Sequence, residues 1–301
     1  MSGRGTWTCL ALSYPLSVAE EYAMLDNMSN GRLIAGFVRG IGCEYHSSGA
    51  NPAESHGRFL EAHDLILEAW TREGPFAFEG KYCVNTWPRP VQQPHPPIWI
   101  PSQGSSETIE WASHPSRKYT YLQTFSPVDQ VARFMTMYRE CADGFGYTVS
   151  AEQLGWATPV YVGDSDEAAF NEARPHIEAF YNKFLRTSVE MLLPPGYLSL
   201  TSMQAVSDKI RTGGASGGFT IESLAAKGMI ICGRHDSVAQ QLETHQKKIG
   251  FGNLIAMMQF GTLSHGLTKR SMELFARKVM PRLRRGRTEA PTSILVEGGV
   301  S

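Results

Sequence analysis

The segment Arg32-Leu-Ile-Ala-Gly-Phe-Val38 constrains the fold of this 301-residue chain more than any other stretch. It is an unbroken apolar run of strand length, which suits a strand covered on both faces and hence a parallel sheet lined by helices. A helix predicted over residues 18–28 precedes it. Ser17 stands as its N-cap, Glu20 completes a capping box, and Asn30-Gly31 supplies a left-handed stop. The same alternation recurs along the chain. Strand-like runs at residues 9–13, 98–102, 119–123, 155–162 and 253–260 are separated by helical stretches, and a short apolar run at 229–232 stands beside them.

Asn51-Pro52 opens one of these helices, with Phe59, His63, Ile66 and Trp70 on a continuous apolar stripe. His63 in that setting is expected to be packed core and not a ligand. A further helix near residues 166–185 is expected to be capped by Asp164 and kinked by Pro175. Strands alternating with helices imply a parallel sheet with helices outside it. No G-x-G-x-x-G follows the first strand, which favours a (β/α)8 TIM-type barrel over a doubly wound sheet. The six counted strands would supply about six strand-helix units of the eight that closure requires.

Composition narrows the chemistry. Lys and Arg number 28 against 29 Asp and Glu, a net charge of −1 without basic blocks, which argues against a nucleic-acid partner. No apolar run reaches the ~18–20 residues of a membrane span, so a soluble, cytoplasmic protein is expected. Cys9, Cys43, Cys83, Cys141 and Cys232 form no C-x-x-C pair and read as reduced thiols; the histidines show no metal-binding spacing. Residues 1–285 read as one barrel domain and 286–301 as a disordered polar tail. Residues 74–97, rich in Pro and aromatics, form an ordered excursion. Residues 186–221 read as an insertion over the cavity, whose Tyr197, Leu198 and Met203 point to an apolar ligand.

In an α/β barrel the site lies at the carboxyl ends of the strands. Gln103-Gly104-Ser105-Ser106-Glu107-Thr108 has the parts of an anion cradle: a glycine, three hydroxyls and a helix start. Plain helix capping by serine is the competing explanation. Arg39, leaving a buried strand on the same face, tips the balance toward a phosphorylated cofactor. Gly214-Ala-Ser216-Gly-Gly218 matches the nucleophile elbow of serine hydrolases, but its flanks lack the strand and helix that motif needs.

Five motifs in order carry a resemblance: Glu20-Glu-Tyr-Ala-Met-Leu-Asp-Asn-Met-Ser-Asn-Gly-Arg32, Gly36-Phe-Val-Arg-Gly40, Glu79-Gly-Lys-Tyr82, His95-Pro-Pro-Ile-Trp99 and Ser105-Ser-Glu-Thr-Ile-Glu-Trp-Ala112. Together they resemble the bacterial luciferase-like flavin monooxygenases, from about Leu16 to Arg284. The resemblance implies a TIM-type barrel that takes reduced FMN from a partner flavin reductase and uses molecular oxygen on a small organic substrate, commonly as a homo-oligomer. It places Arg39, Ser105 and Thr108 on the FMN phosphate with Gly104 beside them, and Tyr45 and His46 in the loop lining the flavin and substrate cavity. It leaves the catalytic acid or base of the chain unassigned. The match begins at the family's third strand-helix unit, so the first two units are expected to be missing. The alternatives carried forward are a non-catalytic subunit, with helices 18–28 and 52–70 presenting exposed aromatic stripes to a partner, and a deazaflavin-dependent oxidoreductase on the same barrel.

Overall fold

A computed structural model describes residues 4–78, 82–186, 188, 191, 194, 196–197 and 218–288. The Ser216 motif, Leu198, Met203, most of the expected insertion, residues 289–301 of the expected tail, and Glu79, Gly80 and Lys81 lie outside the described residues. The chain divides into two compact units. The first holds Met1–Ala157, Phe184–Gly218 and Gly250–Ile255; the second holds Thr158–Lys183, Phe219–Ile249 and Ala256–Ser301.

The first unit carries β1 (Arg4–Cys9), β2 (Leu33–Val38), β5 (Ile98–Ser102), β6 (Thr120–Thr124) and the start of β7 (Leu154–Gly163), parallel and paired in that order. Around them are α1 (Pro15–Ser29), α2 (Gly42–Ser48), α3 (Ser55–Thr71), α4 (Ser106–Ser113) and α5 (Val128–Gly144). The hairpin β3 (Phe76–Phe78) and β4 (Tyr82–Val84) gives the expected excursion its antiparallel core. In the second unit the end of β7 pairs in parallel with β8 (Ile231–Arg234). That unit also carries α6 (Asp166–Ala179), α7 (Ile221–Ala226), α8 (His235–Ile249), α9 (His265–Leu274) and α10 (Met280–Thr288). The strand β9 (Asn253–Met257) pairs with β7. The architecture is an α/β fold on a parallel sheet. No helix among the described residues is long and apolar enough to cross a membrane.

Several boundaries differ from the sequence expectation. The first strand is Arg4–Cys9 and not 9–13: Thr6, Trp7 and Thr8 suit a pleated surface, whereas Leu10 to Ser13 turn back on Cys9 and Leu10 carbonyls. Ile231–Arg234 joins the sheet, which makes seven strands among the described residues where the sequence suggests six. Helix α1 starts at Pro15 with Tyr14 as N-cap, not at Ser17, because proline is preformed for the first helical position; Asn30 ends it with φ 55° as expected. Ser165, not Asp164, caps α6 by accepting from the Ala168 N–H. Pro175 lies inside α6, which continues to Phe184 as a π-helical turn.

The stripe on α3 is buried, not exposed: Phe59, His63, Ile66 and Trp70 all face the interior. Trp70 donates to the Ala19 carbonyl at 2.9 Å and stacks with Tyr22 and Phe37, locking α3 to α1 and β2. The turn after α1 is set by its own motif. Asp26 is fully buried and accepts from the Gln92 backbone at 2.8 Å and its side chain at 2.7 Å, while Arg32 donates to the Ser29 carbonyl. The buried carboxylate is thus satisfied where it would otherwise be strongly unfavourable.

Candidate functional site

Strand β2 delivers Arg39 to a turn fixed from three sides. The Cys9 thiol donates to the Arg39 carbonyl at 3.1 Å, Tyr45 donates its hydroxyl to the same carbonyl, and Tyr197 donates to the Gly40 carbonyl at 2.5 Å. Gly40 takes φ 91°, and a Cβ there would lie 2.5 Å from the Cys9 sulfur, so the turn admits only glycine. Tyr45 reaches this point from α2, whose start is held by Glu44 accepting the Ile41 N–H at 2.7 Å. Burial, then the neighbouring Cys9 and Tyr197, push the Tyr45 hydroxyl far above its ordinary range, so it remains a donor. Burial, reinforced by Glu44, raises the Cys9 thiol to about 11, which leaves it unreactive.

The facing wall comes from the end of β5. Gly104 takes φ 96° and donates its N–H to Ser102 Oγ at 3.1 Å. A Cβ there would fall 2.1 Å from the Phe134 ring, so packing, and not the approach of a ligand, demands the glycine. Ser105 caps α4: its Oγ accepts the Thr108 N–H at 3.4 Å and donates to Glu107 Oε2 at 2.6 Å. The capping function weighed from the sequence is therefore present, on a side chain that also faces the cavity.

A cavity of about 330 Å³ joins the two walls. Arg39, Ser105, Glu107 and Thr108 line it together with the apolar side chains of Phe37, Phe59, Ile100 and Trp111. Tyr197 also lines it, its ring 4.0 Å from the Arg39 guanidinium. The structure therefore brings together Arg39, Ser105 and Thr108. It does not bring Tyr45 or His46 to the cavity wall: Tyr45 is buried behind the Arg39 turn and His46 is exposed on α2. Gly104 adjoins the wall without lining it. Sequence reasoning missed Glu107, His56 and the role of Tyr197 on this wall. A half capping box, Ile41 with Glu44 three residues on, was the signal that α2 existed.

Behind the apolar wall, His63 is buried against Trp111 at 4.8 Å. Its Nε2 meets the Tyr119 hydroxyl at 2.8 Å and its Nδ1 meets Asp64 at 2.8 Å, so it is a satisfied core histidine. Burial lowers its pKa despite the opposing pull of Asp64.

The profile described as luciferase-like monooxygenase matches residues 5–251. The chain belongs to that family. It is 32% identical over 210 residues to an uncharacterised protein, y4wF, of Sinorhizobium fredii, covering 67% of this chain and 59% of that one. It is 28% identical to the oxygenase component of the flavin-dependent trigonelline monooxygenase of Acinetobacter baylyi, covering 60% of this chain and 51% of that one. The chain thus spans between half and three-fifths of the length of these curated relatives. Among solved structures, the oxygenating constituent of 3,6-diketocamphane monooxygenase from Pseudomonas putida, in complex with FMN, is similar with a TM-score of 0.69. The identity is 19%, with 91% of this chain and 77% of that one covered. The coenzyme F420-dependent tetrahydromethanopterin reductase of Methanopyrus kandleri is similar with a TM-score of 0.58. There the identity is 18%, with 93% of this chain and 81% of that one covered. At these identities the structural likenesses establish the fold of a luciferase-like chain and not its cofactor.

Proposed function

We propose that this cavity holds the phosphate end of FMN, and that the chain serves a flavin-dependent monooxygenase acting on a small organic substrate, with reduced cofactor delivered by a separate flavin reductase. The observation that carries the reading is the joint placement of Arg39, Ser105 and Thr108 on one cavity, at the start of a helix. A guanidinium, two hydroxyls and a helix N-terminus suit a phosphate dianion. The apolar wall of Phe37, Ile100 and Trp111 suits a flat ring system, and about 330 Å³ lies in the ~300–1,000 Å³ range of small-molecule sites.

Reduced FMN, when bound, supplies the electrons with which molecular oxygen is activated. The chain's own residues do three things. Arg39 neutralises the phosphate and fixes the cofactor's register. Ser105 and Thr108 orient it through their hydroxyls at the start of α4. Phe37, Phe59 and Trp111 keep water from the reacting end.

Titration of FMN by its fluorescence quenching tests this reading. Arg39→Met is expected to weaken FMN binding on the order of tenfold to a hundredfold, the range of hydrogen bonds to charged groups, and to leave riboflavin, which lacks the phosphate, unchanged. Tighter binding of the deazaflavin F420 than of FMN would move the assignment to hydride transfer. Oxygen uptake with reductase-supplied FMN and candidate substrates then separates an oxygenase from a non-catalytic subunit.

A further inference from the structure

Two tyrosines distant in sequence converge on the turn that presents Arg39. Their rings are 5.9 Å apart and inclined at 60°. Tyr45 donates to the carbonyl of Arg39 and Tyr197 to the carbonyl of Gly40, so successive peptide units of the turn are each held by a phenol. Tyr197 does more than this. Its ring lies under the Arg39 guanidinium at 4.0 Å, and the residue also lines the same cavity. The backbone around it is seated closely as well. A Cβ on Gly196 would meet Ala53 at 2.8 Å, and one on Gly42 would meet the Met191 carbonyl at 2.3 Å.

A guanidinium on a four-bond stem has many rotamers in water, and ordering it opposes binding through lost side-chain entropy. An aromatic ring in contact with the guanidinium restricts that freedom while spending none of its N–H donors on a competing carboxylate, so they remain for an anion in the cavity. The hydroxyl bond to Gly40 fixes the ring itself, so ring and backbone turn are held as one unit.

We infer that Tyr197 is a positioning residue for the anion site, holding the Arg39 guanidinium in the orientation that grips the cofactor phosphate. The inference rests on the proposed function, in which the cavity takes a phosphate. Tyr197 does not touch the phosphate in this account; it acts through Arg39. The contact that matters is the ring face, and the hydroxyl matters less.

The phosphate dependence of flavin binding is the readout, measured as the ratio of riboflavin to FMN dissociation constants by fluorescence titration of the full chain. Wild-type protein is expected to bind FMN more tightly than riboflavin. Tyr197→Leu should lower that ratio about tenfold, the factor equivalent to ~1.4 kcal/mol, by weakening FMN alone. Tyr197→Phe, which keeps the ring, should restore the ratio to within about threefold of wild type, the scale of one net neutral hydrogen bond. Circular dichroism verifies that each variant is folded. Equal weakening of FMN and riboflavin in Tyr197→Leu, or no change in either, overturns the inference while leaving the phosphate assignment standing. A wild-type ratio near one overturns both, and is thereby distinguishable from failure of Tyr197 alone.

Discussion

Two strand ends in this molecule carry the same device, a helix that starts directly after a parallel strand, and they use it in opposite ways. In the second unit, Asp166 at the start of α6 closes the end of β8. Its Oδ1 accepts the Arg234 N–H at 2.7 Å and its Oδ2 accepts the Ser237 hydroxyl at 3.0 Å, while Arg234 turns its own side chain to Asp236 at 2.7 Å. Gly233, with φ 150°, is the price of that closure, since a Cβ would stand 2.5 Å from Asp166 Oδ1. Further along, Arg270 pairs with Glu172, to which Tyr161 also donates at 2.7 Å. Burial alone would raise the Glu172 carboxyl, but the bonds from Arg270 and Tyr161 outweigh it and hold the group below its usual range. Charges there are spent on one another.

In the first unit the carboxylate at the equivalent place, Glu107, lies on its own helix and holds the Ser105 hydroxyl. Arg39 is met by the face of a tyrosine ring instead of an acid. In the proposed function, a strand-to-helix turn serves as a ligand site through what its neighbours decline to neutralise. Helix starts are common; a cation steadied by an aromatic face beside one is what marks this cavity.

Three substitutions break or sharpen the contrast. The largest effect is expected from Gly104→Ala in the first unit. The new methyl overlaps the Phe134 ring and the residue is held at positive φ, so unfolding free energy should fall by about 2–4 kcal/mol in urea titrations. A loss below about 0.5 kcal/mol would mean that Phe134 moves aside freely and that the wall of the cavity is soft.

Asp166→Ala comes next. Removing the acceptor of two donors should lower stability by about 1–2 kcal/mol, with FMN affinity unchanged, because the charge cluster it belongs to is structural. A matching loss of flavin binding would erase the distinction drawn between the two strand ends.

The smallest effect concerns pH. Burial depresses the His63 pKa below its ordinary 6.5, so the folded state prefers the neutral ring. Above that value both folded and unfolded states are neutral and stability is intact. As pH falls below it, the unfolded chain takes up a proton that the folded chain resists, and stability declines. Thermal midpoints measured between pH 7 and pH 5 should therefore drop less steeply in His63→Gln than in wild type. Parallel slopes would assign the acid sensitivity elsewhere, for instance to His245, whose burial lowers its pKa in the same way.

Much of the first unit was legible from local chemistry. The apolar period-free run of β2, the αL stop at Asn30 and the buried stripe of α3 are each dictated by a few neighbouring residues. Arg39, Ser105 and Thr108 could be nominated together because the carboxyl ends of parallel strands share one side of a sheet. What escaped were local signals that competed with one another or were too short to read. The true start of α1 depends on proline geometry competing with a good capping box. The short α2 was hidden because seven residues carry too little periodicity to show. Tyr45 and His46 were expected at the cavity because the family resemblance places them in the loop that lines it. A helix turns its residues to different faces, which buries the first and exposes the second.

By itself, then, the sequence determined the alternation of strands and helices, the family to which the chain is similar, and a cation and hydroxyls suited to an anion. These rest on contacts within a turn or a few residues, where backbone preference and periodicity decide the outcome. Only the tertiary structure decided that Gly104 serves Phe134, that Glu107 holds Ser105, and that Tyr197 lies under Arg39. Tyr197 is 157 residues from the carbonyl it binds, and no local propensity specifies such a pair. Its geometry follows from packing, which is set by every element at once.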